Sequence, residues 1–406
     1  MTLRNRGPST GLFAVLTFVS LLSTLSCSND QGQIIETESL FSLRLGIMES
    51  NLNVFTFNNV TPSYYPEVVM RNGIFAISDP ASNKVMEFSS YGDVLSLYYN
   101  PLTNPPPLTL RVRPETEAQT TVVNKIAHPY EFVQIGKVAY SRENLLLVQD
   151  QVSDRRRVFD QERGVYLSQV ILRFNALGEY QDYLGQEGIG GTAFPPLRNL
   201  WVTELNHIVI AAKVPGIDLI FWYDGRGDLL YSLEIGSEHL PLFEDEGFHP
   251  VLDTLTPSMT HPEIYVKVDF HPNSLDERGI QSRIYTFDLE SGSYSRYFDL
   301  PVNFQDRPNV QPGEVTRIQF PYEFLGIDDM NTLFFMGRIT ELQQQLLLIN
   351  TDGRVLHRGF IDLNEGELVR RSLRVNEQGI LVGLGVYNDR AEVKWWRTDR
   401  LLPRTP

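Results

Sequence analysis

Three short aromatic–proline–acid signatures place carboxylates at related points of the chain. They read Tyr65-Pro66-Glu67, His128-Pro129-Tyr130-Glu131-Phe132 and Phe320-Pro321-Tyr322-Glu323-Phe324. Carboxylate oxygens brought together are hard ligands suited to Ca²⁺ or to a cationic group. Glu67, Glu131 and Glu323, with Tyr130 and Tyr322 beside them, are therefore the first candidate site. A purely architectural reading competes: proline sets the turn into a strand, the rings wedge against neighbours, and Glu caps a backbone group. A second group, His239, Glu244, Asp245, Glu246 and His249, gathers two imidazoles and three carboxylates in one stretch. Such groups ligate divalent metals, although no His-x-His or His-x-x-x-His spacing is present and acidic loops are commonly just solvated. His128 and His271 have no nucleophile to serve. Arg155, Arg156 and Arg157 form the only dense basic run, flanked by Asp154, Asp160 and Glu162. They suit an acidic partner or a phosphate, or else pair with the acids around them. There is no Gly-x-Ser-x-Gly elbow, no P-loop, no dinucleotide fingerprint and no His-Glu-x-x-His. No catalytic residue is assigned.

The elements that must position these residues are written repeatedly. A turn with central Gly92, Gly178, Gly227, Gly292 or Gly353 separates two apolar strands each time. Glycine there supplies the left-handed backbone that a tight hairpin needs. Upstream lie apolar runs of strand length: GIFAIS (73–78), NLLLVQ (144–149), HIVIAA (207–212), EIYVKV (263–268), TLFFMG (332–337) and GILVGL (379–384). If each unit has strands a to d, the apolar run is b and the glycine turn joins c to d. The last unit stops after EVKWWR (392–397) with no strand d, while FSLRLG (41–46) stands at the front with no strand c before it. The expectation is an all-β, six-bladed β-propeller closed by an N-terminal strand that completes the last blade, removing exposed sheet edges. Two packed β domains divided near 240–255 are the rival architecture.

Link lengths are lopsided. Segments joining a to b and c to d are short, whereas those joining b to c and d to a include 47–66, 100–129, 150–166, 185–198, 236–254, 269–281 and 301–320. In an up-and-down blade these classes emerge on opposite faces, so the insertions share one face. Long loops on a rigid scaffold commonly carry function. Strand a lines a propeller's axis, which would put Glu67, Glu131 and Glu323 at the channel mouth on that face. The repeat resembles the NHL and YWTD class of six-bladed propellers in organisation, without their signature motifs. That resemblance implies two functions. One is a binding platform; the other is lactonase-, sugar-dehydrogenase- or esterase-like chemistry around an axial Ca²⁺.

Location is written at the N-terminus. Arg4 and Arg6 precede the apolar stretch Leu12–Leu22, too short to cross about 30 Å of hydrocarbon and of the form of an export signal. Cys27 follows as the only cysteine, so it has no disulfide partner in the chain. A lone Cys after such a stretch resembles the lipobox of bacterial lipoproteins; Thr24 and Leu25 give it the loosened form seen in spirochaete members. The resemblance implies a signal peptide over 1–26, acylation of Cys27 (palmitate among the chains), a tether over 27–38 and a propeller over 39–406. It also implies an exported protein held in the cell envelope, periplasmic or outer-membrane associated. Losing Arg4 and Arg6 takes the net charge from −15 to −17, which disfavours nucleic acid as a partner. The reading is a lipid-anchored, non-enzymatic scaffold that binds a protein or peptide on its long-link face.

Overall fold

The apolar b runs are explained by what lies on either side of them. The computed structural model describes residues 33–54, 64–112, 125–273, 279–308, 315–339, 343–363 and 365–402. Cys27 and the leader lie outside these residues. Within the unit Ile34–Pro406, antiparallel sheets pack face to face around an axis. Each b strand is buried on both surfaces, and its side chains alternate between two neighbours. Phe75 and Ile77 point into the core shared with the preceding sheet, while Ala76 points into the core shared with the next. Ile208 and Ile210 face backwards and Val209 and Ala211 forwards in the same way. Such strands read as continuous hydrophobic runs and not as alternating ones.

Five blades are built from consecutive strands, named from the axis outward. The first has Glu67–Arg71, Ile74–Asp79, Lys84–Ser89 and Val94–Tyr99; the second Val138–Tyr140, Leu146–Gln151, Gln169–Phe174 and Tyr180–Gly185. The third has Leu197–Val202, Ile208–Val214, Ile217–Tyr223 and Leu229–Gly236. The fourth has Phe248–Pro257, Glu263–Pro272, Gln281–Asp288 and Ser293–Asp299; the fifth Glu323–Ile327, Leu333–Arg338, Gln343–Ile349 and Val355–Asp362. The expected sixth blade is not one of this kind, so the count of blades made from consecutive strands is five. The sheet that closes the ring is a composite: Arg370–Val375, Leu381–Val386 and Arg390–Trp396 take their outer strand, Thr37–Arg44, from the other end of the chain. Phe41 pairs with Val393 and Leu43 with Ala391, so the anticipated closure holds. This strand starts at Thr37, inside the stretch read as tether. Hydrophobic clusters join the closing sheet to the first blade through Phe41 and Val393, and to the fifth through Leu381 and Trp396.

All five turn glycines have positive φ, from 65° to 106°. Each hairpin also carries a register shift beside the turn, as at Glu87/Phe88 and Trp222/Tyr223. The a-to-b turns use Asn72, Asn144, Asn206 and Asn331 in the same left-handed region, where Asn is the best tolerated residue after Gly. The a-to-b and c-to-d links are thus short turns at one end of the blades, although the 100–129 insertion returns along the outer edge of the first blade to that same end, where Ile126 pairs with Ser96.

Two stretches depart from the loops expected. Ile126–Pro129 forms a parallel strand against Val94–Tyr99, pairing Ser96 with Ile126 and Tyr98 with His128 on the outer edge of the first blade. The second-blade a strand begins only at Val138. In the fourth blade, Phe248–Pro257 and Glu263–Pro272 extend as a long ribbon in which His249 faces His271, so residues 248–254 of the expected 236–254 loop are strand. Among the described residues no helix is long and apolar enough to cross a membrane.

Candidate functional site

The innermost strands enclose an axial cavity of about 130 Å³, walled in its middle by Val69, Val138, Leu200, Leu325 and Val375. Charged side chains stand at both of its ends.

On the long-link side Glu67 begins the first blade's inner strand. Its carboxylate accepts hydrogen bonds from Lys137 Nζ and from Arg374 Nη2, the latter at 2.9 Å. Arg374 also donates Nη1 to Asn199 Oδ1 at 3.0 Å, so residues of the first, second and third blades and of the closing sheet meet here. Burial alone would raise the Glu67 carboxyl, but the Arg374 and Lys137 charges hold it below its ordinary value. Lys137 moves the other way: burial lowers it, against the pull of Glu67. Behind this cluster Gln149 Nε2 donates to Gln169 Oε1 at 2.8 Å within the second blade.

On the short-link side Arg142 reaches across the axis from the second blade to the fifth. It donates Nη1 to Asp329 Oδ2 at 2.9 Å and Nε to the Thr203 carbonyl at 3.0 Å. Arg71 Nη2 donates to the Arg142 carbonyl at 2.7 Å. Glu377 lies beside them; burial raises its carboxyl, opposed by Arg142 and Arg71. The arrangement braces blades across the pore.

The three carboxylates anticipated at one mouth are dispersed. Glu67 is at the axis. Glu131 is exposed and follows the outer-edge strand, because the parallel strand 126–129 occupies the place where an inner strand was expected. Its companion Tyr130 packs on Phe132, Phe174 and Tyr180. Glu323 starts the fifth blade's inner strand but pairs with Arg371 at 2.7 Å. Tyr322 is buried and donates its hydroxyl to Gln345 Oε1 at 2.7 Å. Tyr65 lies under the Arg370 guanidinium, 3.5 Å from the ring centroid. Among the described residues no cluster of three or more His, Cys, Asp or Glu has the geometry to hold a metal ion.

The second group also separates. Glu244 accepts from Arg283 Nη1 at 2.8 Å and from the Tyr297 hydroxyl at 3.2 Å, and the Arg283 hydrogen bond pulls its carboxyl down to about 2. Arg283 lies between the Phe243 and Tyr297 rings, with centroids at 4.4 and 4.5 Å, and also pairs with Asp299. His249 stacks on His271 at 5.6 Å and shares a hydrogen bond with Asn273. His239 and Glu238 are neighbours in a short 3₁₀ turn, Ser237–His239, and Asp245 Oδ1 accepts from the Gly247 amide. Arg155, Arg156 and Arg157 form the end of a 3₁₀ turn and the approach to a small hairpin, Val158–Asp160 with Val165–Leu167. Arg157 pairs with the flanking Asp154 at 2.9 Å, whereas Arg156 donates to the Tyr183 hydroxyl of the outer strand at 3.0 Å.

Lys137, Arg142, Asn199, Asp329, Arg374 and Glu377 were not singled out from the sequence. For Arg142 a signal exists: it precedes the left-handed Asn144 of an a-to-b turn, as Arg71 precedes Asn72. A side chain just before such a turn stands at the end of an inner strand.

No family model and no curated protein matches the chain. Among solved structures it is similar to a gluconolactonase from Xanthomonas campestris, at 12% identity, with 79% of this chain and 82% of that one covered and a TM-score of 0.36. It is similar also to a glucose dehydrogenase, at 10% identity, with 88% and 98% covered and a TM-score of 0.38. The β-propeller domain of the Trilobed protease from Pyrococcus furiosus gives 10% identity, 66% and 83% covered and a TM-score of 0.35. Values this low carry no argument about chemistry. The sheet order defines the class: an all-β propeller with ion pairs at both ends of its axis.

Proposed function

We propose that this chain is a non-enzymatic binding scaffold, exported and held in the cell envelope by acyl chains on Cys27, that takes a protein or peptide partner on its long-link face. The observation that carries the reading is the hairpin inserted between the second and third strands of the second blade. Phe159 and Tyr166 stack edge to face across it at 5.0 Å and remain 49% and 59% exposed. Val158 is exposed beside them, and Arg155 and Arg157 lie at the approach. Exposed aromatics with arginine are the composition enriched in protein interfaces, and a rigid blade lowers the ordering cost of presenting them. The axial Ca²⁺ reading gains no such support. Glu67, the one candidate ligand at the axis, already holds two cations, so a metal would have to displace Lys137 and Arg374.

The test is affinity capture from detergent-solubilised envelopes with wild type, with a Phe159→Ser/Tyr166→Ser double variant, and with Cys27→Ser. A discrete partner retained by wild type and lost by the double variant supports the scaffold. Palmitate labelling absent from Cys27→Ser supports the anchor. If Ca²⁺ raises the melting temperature by several degrees and Glu67→Gln abolishes that shift, the enzyme reading replaces this one.

A further inference from the structure

A larger cavity lies between the first and second blades on the short-link side, sharing Arg71 and Tyr140 with the axial one. It encloses about 390 Å³ and is bounded by the Arg71-Asn72 turn, Glu87, Tyr98, His128, Tyr140 and the Asn175–Leu177 turn. Small-molecule pockets span about 300–1,000 Å³. Its origin is visible in the turn glycines. A Cβ at Gly92, Gly227 or Gly353 would strike an outer-strand side chain of the preceding sheet: Phe41, Leu184 or Phe298. At Gly178 it would strike the His128 ring instead, at 2.2 Å. His128 comes from the extra edge strand and stacks on Tyr98 at 4.9 Å, so the two blades meet through an inserted ring and the cavity opens beside it.

The wall of this cavity holds a carboxyl that no described cation matches. Glu87 Oε1 accepts from the Tyr140 hydroxyl at 2.6 Å, and Ser96 hydrogen-bonds it from the neighbouring strand. Arg71, the one arginine in the lining, is turned to the Arg142 carbonyl and lies under the influence of Glu377 and Asp329. Tyr98 faces Glu87 from the outer strand and His128 lies behind Tyr98. Burial raises the Glu87 carboxyl and pushes the Tyr98 and Tyr140 phenols well above their ordinary range. A carboxylate in such a place is expensive unless an opposite charge arrives.

We propose that the cavity is a receptor site for a small organic ammonium cation with an apolar body. The ammonium lies against the Glu87 carboxylate and the faces of Tyr98 and Tyr140, and the body lies against Ile74, Leu95 and Leu146. Aromatic faces attract cations most strongly when desolvated. Where Glu87 holds its proton, the cation displaces it to solvent, leaving a carboxylate–ammonium pair. The cavity is independent of the scaffold reading, since it lies on the short-link face.

The test is calorimetric titration of the full chain with protonated 2-phenylethylamine and with its neutral counterpart 2-phenylethanol. Wild type should bind the amine, and Glu87→Gln should weaken that binding roughly tenfold or more while leaving the alcohol unchanged. Raising the pH from about 5 to about 8 should tighten amine binding more in wild type than in Glu87→Gln, because the cavity-lining His128 is present in both and only wild type has the Glu87 carboxyl proton to lose. No saturable heat with the amine, or an affinity within about twofold in Glu87→Gln, overturns the proposal. If Glu87→Gln does not fold by circular dichroism, Ala176→Trp on the cavity rim decides: lost amine binding supports the site and unchanged binding overturns it.

Discussion

Glu67 and Glu87 lie on the first and third strands of the same blade, and their surroundings are opposite. Glu67 faces the axis, where Lys137 and Arg374 arrive from two other sheets and hold its carboxyl low. Glu87 faces the second blade, from which Tyr140 offers a hydroxyl; Ser96 of its own blade offers another, and burial holds its carboxyl high. A shielded carboxylate with cations in place is a structural tie. One with only hydroxyls, opening on a cavity, lacks the charge that would make it so. The same residue type thus marks a brace in one region and a receptor in the other, and only the partners distinguish them.

The comparison breaks first at the axis. Glu67→Gln leaves Lys137 and Arg374 confronting each other without an anion, and should cost about 2–4 kcal/mol in urea denaturation with an unchanged m-value. A loss under about 1 kcal/mol would mean solvent already screens the cluster. Asp329→Asn at the other end should cost about 1–3 kcal/mol, less because the Asp329 side chain is 26% exposed against 14% for Glu67. Gly178→Ala strains a residue at φ +78° and must also displace His128, so it should cost about 1–2 kcal/mol and reduce amine binding. Gly292→Ala, with nothing within 4 Å of the new Cβ, is its control and should carry the backbone cost alone.

The smallest effect has the opposite sign. Glu87 binds its proton more tightly folded than unfolded, so its favourable contribution is complete below about pH 4.5 and is lost as pH rises through its elevated value. Glu87→Gln should therefore match wild type in acid and exceed it by up to about 1 kcal/mol at pH 8. Glu67 runs the other way: its contribution is present above its ordinary value and is lost as pH falls through the depressed one. Melting temperatures of both variants across pH should diverge in opposite directions. Parallel curves would remove the distinction between brace and receptor.

Much of the scaffold was readable beforehand for local reasons. The turn glycines announce a backbone sign that other residues resist, and the b strands announce burial on two faces. The front and back ends carry complementary halves of one sheet, so closure followed from what each lacked. The composite sheet nevertheless altered the blade count, because it is not made from consecutive strands. Glu131 was misplaced by an extra parallel strand, and parallel pairing leaves no hairpin signature to announce it. The partners of Glu67 lie far off in sequence, so no spacing could expose them. Glu87 did leave a trace: it is the lone acid in the apolar run KVMEF (84–88).

The order of residues by itself determined which segments are strands, where they reverse, and that the ends join, since these depend on φ preference and on hydrophobic period. Tertiary structure alone decided which charges meet across the pore and which carboxyl is left facing a cavity. Those outcomes depend on the distance between side chains of different sheets, and Coulomb energy and desolvation act through space without regard to position along the chain.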